Sequence, residues 1–177
     1  MKRSELEHAI RAAGDIAADT ELIVIGSQAI LGSFPNAHPD LTQSLEVDLY
    51  PRNHPERSDL IDGAIGELSP FHHTFGFYVH GVGPETATLP AGWNRRLVRV
   101  RNANTAGYTA WCLEPHDLAA SKLAAGREQD HDFVRALLRH GYVKPARLRA
   151  RVGKLPVAAS RRERIMAWLK REGGVLA

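Results

Sequence analysis

At 177 residues the chain has the length of one domain, with room for a helical appendage, and is long enough to bury a real core. Its composition, 44% hydrophobic and 24% charged, is that of an ordinary globular protein. No apolar run approaches bilayer-spanning length. MKRSELEHAIRAAG lacks the apolar core of a secretion signal, and the lone Cys112 excludes an internal disulfide and a cysteine-built zinc site. A cytoplasmic protein is expected. The net charge of +3 is unevenly spread: residues 1–90 carry 5 Lys/Arg against 13 Asp/Glu, and residues 91–177 carry 18 against 7. The basic second half suits a polyanion such as RNA, and arginine-rich helices with no such role fit equally well.

In chain order, Leu6, Ile10, Ala13 and Ile16 recur at helical spacing. They predict a helix over Ser4–Ala18, with Ser4 as N-cap and Glu7 as its capping-box partner. Leu22–Ile25 is a short buried strand, ended by Gly26-Ser27, with a helical turn starting at Gln28. A loop follows, then an alternating strand over Leu45–Tyr50 that stops at Pro51. A short helix over Leu60–Leu68 is ended by Ser69-Pro70. Strands are expected at Phe75–Val82, Leu97–Arg101 and Thr109–Leu113, with the irregular GVGPETATLPAGW between the first two. From Pro115 the chain turns helical: Pro115 to Ala125, closed by Gly126, then about Gln129–His140, Lys144–Val152 and Ser160–Arg171. The order gives an α/β or α+β core, mostly sheet-centred, over residues 1–114, followed by a helical region over 115–177.

The chemistry is concentrated early. On the Leu45–Tyr50 strand Leu45, Val47 and Leu49 face one way, so Ser44, Glu46 and Asp48 face the other. Two carboxylates on one strand face repel unless something positive lies between them. Magnesium takes one or two carboxylates together with phosphate oxygens and water. Backbone N–H groups at a Gly-Ser turn that opens a helix suit a phosphate. Singly, each feature has a plain role as turn, solvated strand face or helix cap. Among the 9 histidines, His72, His73 and His80 read as loop-edge residues. Cys112 and the tryptophans read as packing.

Strand–Gly-Ser–helix followed by a strand with alternating acids resembles the nucleotidyltransferase superfamily. LEPHDLAASKLAAGREQDHDFVRALL is similar to the last two motifs of abortive-infection type nucleotidyltransferase toxins, and GVGPETATLPAGW to a related group of uncharacterised bacterial proteins. The resemblance implies an α+β fold with a mixed sheet core and flanking helices, that Gly26 and Ser27 hold phosphates, with Ser44 beside the site, and that Glu46 and Asp48 bind Mg²⁺. It further implies that Lys122 neutralises phosphate charge, that Asp130 completes the site at the acceptor hydroxyl, and that Arg127 orients Asp130 or touches the nucleotide. The implied reaction is NMP transfer from an NTP to a hydroxyl, with RNA or tRNA as acceptor. The setting would be a toxin–antitoxin or phage-defence system with a cognate protein partner. Three departures stand out: Glu46 replaces the usual Asp, the glycine pair is a single Gly26, and no third acid follows in the core sheet, where Phe75–Val82 offers His80. The alternative is therefore a catalytically inactive module that binds nucleotide, RNA or a protein.

Overall fold

The computed structural model describes the backbone of residues 1–175 and the side chains of residues 1–172. Two compact units emerge, one of residues 1–86 and 97–113, the other of 87–96 and 114–177.

The first unit is a mixed sheet with helices. Its strands are β1 (Glu21–Val24), β2 (Glu46–Pro51), β3 (Tyr78–Gly81), β4 (Val98–Val100) and β5 (Thr109–Cys112). They lie in the order β3-β2-β1-β5-β4. β1 runs antiparallel to β2 and parallel to β5; β2 and β3 are parallel, and β4 and β5 antiparallel. Central β1 has no polar face because Leu22, Ile23 and Val24 are all buried between neighbours. The parallel β2–β3 pair requires a crossover, which two helices supply, α3 (Ser58–Ile65) and α4 (Pro70–Phe75). α1 (Arg3–Ala17) buries Leu6, Ala9, Ile10 and Ala13. The short α2 (Ile30–Ser33) follows the turn after β1.

Three local expectations are corrected. α1 starts one residue early: the Lys2 N–H donates to Glu5 Oε2 at 2.6 Å, so Ser4 lies inside the helix. Glu7 does not serve the cap. It is buried, and it accepts from Arg3 Nε at 2.9 Å and from Asn102 and Asn104 Nδ2 at 2.7 and 2.8 Å. Ser69-Pro70 ends no helix; it starts α4, with Ser69 Oγ accepting from the His72 N–H at 3.2 Å and Pro70 in the first turn. His72 and His73 are thus helical residues.

Buried carboxylates give this unit an acid limit. Burial would raise the Glu7 carboxyl, yet hydrogen bonds from Asn104, Asn102 and Arg3 leave it below its ordinary value. Asp19 is likewise lowered: burial opposes the shift, and the backbone N–H groups of Glu21, Asn53 and His54 with the Asn53 amide outweigh it. A carboxyl with a depressed folded pKa stabilises fully above its unfolded pKa and loses that contribution as pH falls through the folded value. Denaturation midpoints measured from pH 6 to pH 2 are therefore expected to fall below about pH 4. Glu7→Gln should flatten part of that slope.

The second unit is helical: α5 (Pro115–Ala125), α6 (Glu128–Arg139), α7 (Pro145–Val152) and α8 (Ala159–Val175). Glu114 caps α5 by accepting from the His116 N–H at 3.1 Å, and Gly126 closes it at φ +74°. Leu118, Leu123, Val134, Leu137, Leu148, Leu155 and Leu169 form its core. The segment 87–96 belongs here: the Ala91 N–H donates to the Lys154 carbonyl at 3.0 Å, and Arg96 reaches Asp117. Asp117 is fully buried and accepts from Arg96 Nε at 2.7 Å and Nη2 at 3.0 Å, and it forms an ion pair with Arg151, whose Nε lies 3.0 Å away. Cys112, in the sheet unit, is a packing residue whose thiol burial pushes up to about 12, which leaves it without thiolate chemistry.

Candidate functional site

Alternation on β2 sets the geometry. Val47 and Leu49 are fully buried, while the side chains of Glu46 and Asp48, on the opposite face, stay about one-third and one-quarter exposed (34% and 26%). The β2–β3 register places Tyr78 beside Glu46 and His80 beside Asp48 on that face. His80 Nδ1 lies 2.8 Å from Glu46 Oε1 and 3.2 Å from Asp48 Oδ1. Glu46, Asp48 and His80 each offer a ligand atom within 4.8 Å of the others.

The Gly-Ser turn adjoins this face. The Ile25 N–H donates to the Asp48 carbonyl at 3.0 Å, bringing the end of β1 against β2. A β-carbon on Gly26 would lie 2.0 Å from Asp48 Oδ2 and 2.8 Å from its Cβ, so glycine is required by space. Its φ of −77° is one any residue adopts. Ser27 opens a short 3-10 turn, Ser27–Ala29, and the buried Gln28 donates through Nε2 to the Ser44 carbonyl at 3.2 Å. The Ser44 hydroxyl is turned to its own backbone and accepts from the Glu46 N–H at 3.1 Å.

Charge on this face is held at a cost. Burial first, then the charge of Asp48 and a hydrogen bond with it, push the Glu46 carboxyl above its ordinary value, with His80 pulling the other way. Burial would lower the His80 imidazole, but Asp48 and Glu46 outweigh it and the net shift is upward. Two carboxylates with a ring nitrogen beside them form a donor set that fits a divalent metal.

The other expected residues lie in the helical unit. Lys122 Nζ stands 3.2 Å from Asp130 Oδ1, Arg127 Nε 2.8 Å from Oδ2, and Arg127 Nη2 3.2 Å from Oδ1. The Asp130 side chain is 1% exposed and that of Lys122 16%, so this lysine is no solvated surface residue. Burial would raise the Asp130 carboxyl; the hydrogen bond from Arg127 and the charge of Lys122 prevail and lower it, keeping it ionised. Arg127 thus orients Asp130. Glu46, Asp48, Gly26 and Ser27 are brought together in the sheet unit, and Lys122, Arg127 and Asp130 in the helical unit.

His80, a loop-edge residue on the sequence reading, lies instead on β3 and joins the acidic face. Its signal was position: it sits on a strand face two residues after Tyr78, where the resemblance expects a third acid.

A Gly-Ser turn after the first strand and an alternating acid pair on the next define a nucleotidyltransferase-type arrangement. Residues 4–167 match the family described as "Nucleotidyltransferase of unknown function (DUF6036)", and the chain belongs to that family. The family name indicates a transferase that uses a nucleotide. No curated protein and no solved structure gives a significant match. No helix among the described residues is long and apolar enough to cross a membrane.

Proposed function

We propose that the protein is a metal-dependent nucleotidyltransferase that moves NMP from an NTP to a hydroxyl. The observation that carries this is the pairing of Glu46 with Asp48 on one face of β2, against the Gly26-Ser27 turn, in a chain of a nucleotidyltransferase family. Glu46 and Asp48 would hold a divalent ion such as Mg²⁺, and the Gly26-Ser27 turn, with Ser44 next to it, the phosphates. When bound, the ion supplies charge neutralisation at the phosphates and acidifies the attacking hydroxyl. The chain's own part is positioning, as expected of a transfer that needs no covalent nucleophile. On the family pattern Lys122 is assigned to phosphate charge and Asp130, oriented by Arg127, to the acceptor hydroxyl. These two roles rest on the family pattern; in the structure Asp130 pairs with both cations and closes the first turn of α6.

An RNA acceptor, tRNA included, is favoured by charge. The helical unit carries 16 Lys/Arg against 7 Asp/Glu. Lys144, Arg147, Arg149, Arg164, Lys170 and Arg171 are exposed on it. The resemblance to abortive-infection toxins extends the proposal to a toxin–antitoxin or defence setting with a cognate partner. A second reading, a binding module without turnover, is favoured by one observation: His80 bridges the two carboxylates that an active site needs for its ion.

Incubation with each α-labelled NTP, Mg²⁺ or Mn²⁺, and total RNA tests this. Label should transfer to RNA, and Asp48→Ala should lower transfer at least about 100-fold. Absence of transfer with every nucleotide and ion, or equal transfer by Asp48→Ala, would reject the enzyme. Salt-sensitive RNA binding that Asp48→Ala leaves unchanged would then support the binding module.

A further inference from the structure

The acid pair has a third neighbour of a different chemical kind. β3 runs parallel to β2 with His80 in register with Asp48, so imidazole and carboxylates share one face of the sheet. His80 Nδ1 stands 2.8 Å from Glu46 Oε1 and 3.2 Å from Asp48 Oδ1. Adjacent ligand atoms around a six-coordinate ion with bonds of about 2.1 Å are about 3.0 Å apart. His80 Nδ1 therefore stands from each carboxylate at the spacing of adjacent ligands, and the ligand atoms of all three side chains lie within 4.8 Å of one another. The His80 side chain is 47% exposed, which leaves the face accessible from solvent.

We propose that His80 is the third protein ligand of this site, and that the site takes a first-row transition dication, with Mn²⁺ as the probe, in preference to Mg²⁺. The inference rests on the metal-dependent reading above and deepens it. Its chemical reason is the donor set. Mg²⁺ is hard, favours oxygen and gives up its waters reluctantly. Replacing a third carboxylate by an imidazole removes one unit of negative charge, which weakens the hold on a hard ion. The added nitrogen favours ions along the series from Mn²⁺ towards Zn²⁺. Coordination through Nδ1 places the ring proton on Nε2.

The test is direct binding, with no turnover needed. Mn²⁺ and Mg²⁺ affinities of wild type, His80→Asp and His80→Gln are measured by calorimetry, and bound Mn²⁺ is examined by pulsed EPR for coupling to an imidazole nitrogen. Wild type should show that coupling. His80→Asp, with three acids, should still bind Mn²⁺ without the coupling, and its Mn²⁺-over-Mg²⁺ preference should fall about tenfold. His80→Gln should lose the coupling and bind both ions more weakly, with an unchanged melting temperature showing that it folds. Mn²⁺ bound by wild type without nitrogen coupling, a preference unchanged in His80→Asp, or no binding of either ion would each overturn the proposal. Imidazole-ligated Mn²⁺ in a protein that transfers no NMP would leave this inference standing and remove the enzyme reading. Transfer supported by an ion without nitrogen coupling would do the reverse.

Discussion

Gly26→Ala is expected to lower divalent-metal affinity by about 10- to 100-fold while leaving the fold in place. The new methyl would fall 2.0 Å from Asp48 Oδ2 and 2.8 Å from Asp48 Cβ and Cγ, distances no pair of such atoms tolerates. Backbone strain plays no part, since Gly26 has φ −77°. The turn cannot easily retreat, because the Ile25 N–H is bonded to the Asp48 carbonyl at 3.0 Å. The Asp48 carboxylate must swing away from Glu46 and His80, and because Asp48 Cβ is fixed by the strand the turn must also give by a few tenths of an ångström. Calorimetric metal titration and a thermal melt on the same sample check this: affinity should drop, and the melting temperature should move by a few degrees at most. Unchanged affinity would mean that the Asp48 carboxylate is not where the ion binds.

Asp117→Asn is expected to destabilise the helical unit by about 3–5 kcal/mol, the usual consequence of removing one partner from a buried ion pair. Asp117 has no exposed surface, and two guanidinium groups, Arg96 and Arg151, converge on it. Neutralising it leaves both cations near a carboxamide that can accept from them but cannot balance their charge. Chemical denaturation followed by Trp168 fluorescence, a tryptophan of this unit stacked on His131, reads the loss. The corresponding fall in melting temperature is on the order of 10 °C for a chain of this size. A change below about 1 kcal/mol would show that the triad contributes little to stability.

The parts of the fold legible in the sequence were those set by local pattern. The alternation of Leu45–Tyr50 put Glu46 and Asp48 on one face because strand geometry leaves no choice. Pro115 and Gly126 bracketed α5 because one fits a first helical turn and the other a left-handed close. Ser69-Pro70 carries the same kind of signal, but a proline after a helix reads as a stop and before one as a start. Only the order of elements decides between them. What local pattern could not convey was partnership across the chain. Glu7 sits at the spacing of a capping box, yet Asn102 and Asn104 draw it into the unit's interior. His80 joined the acidic face through the order of strands in the sheet, with β3 next to β2, and no short window of residues contains that order. Asp117 lies in the first turn of α5, while its partners arrive from positions 96 and 151.

The chain passes between its two units three times, at residues 86–87, 96–97 and 113–114, because ten residues between β3 and β4 are lent to the helices. A peptide cut from Glu114 onward would keep Arg151 on Asp117 and forfeit Arg96, along with the bond that Ala91 makes to Lys154. Neither half can therefore be transplanted as one uninterrupted stretch. A gene fusion or shuffling event that moved only the tail would deliver an unfinished bundle, so the two units have to be inherited together.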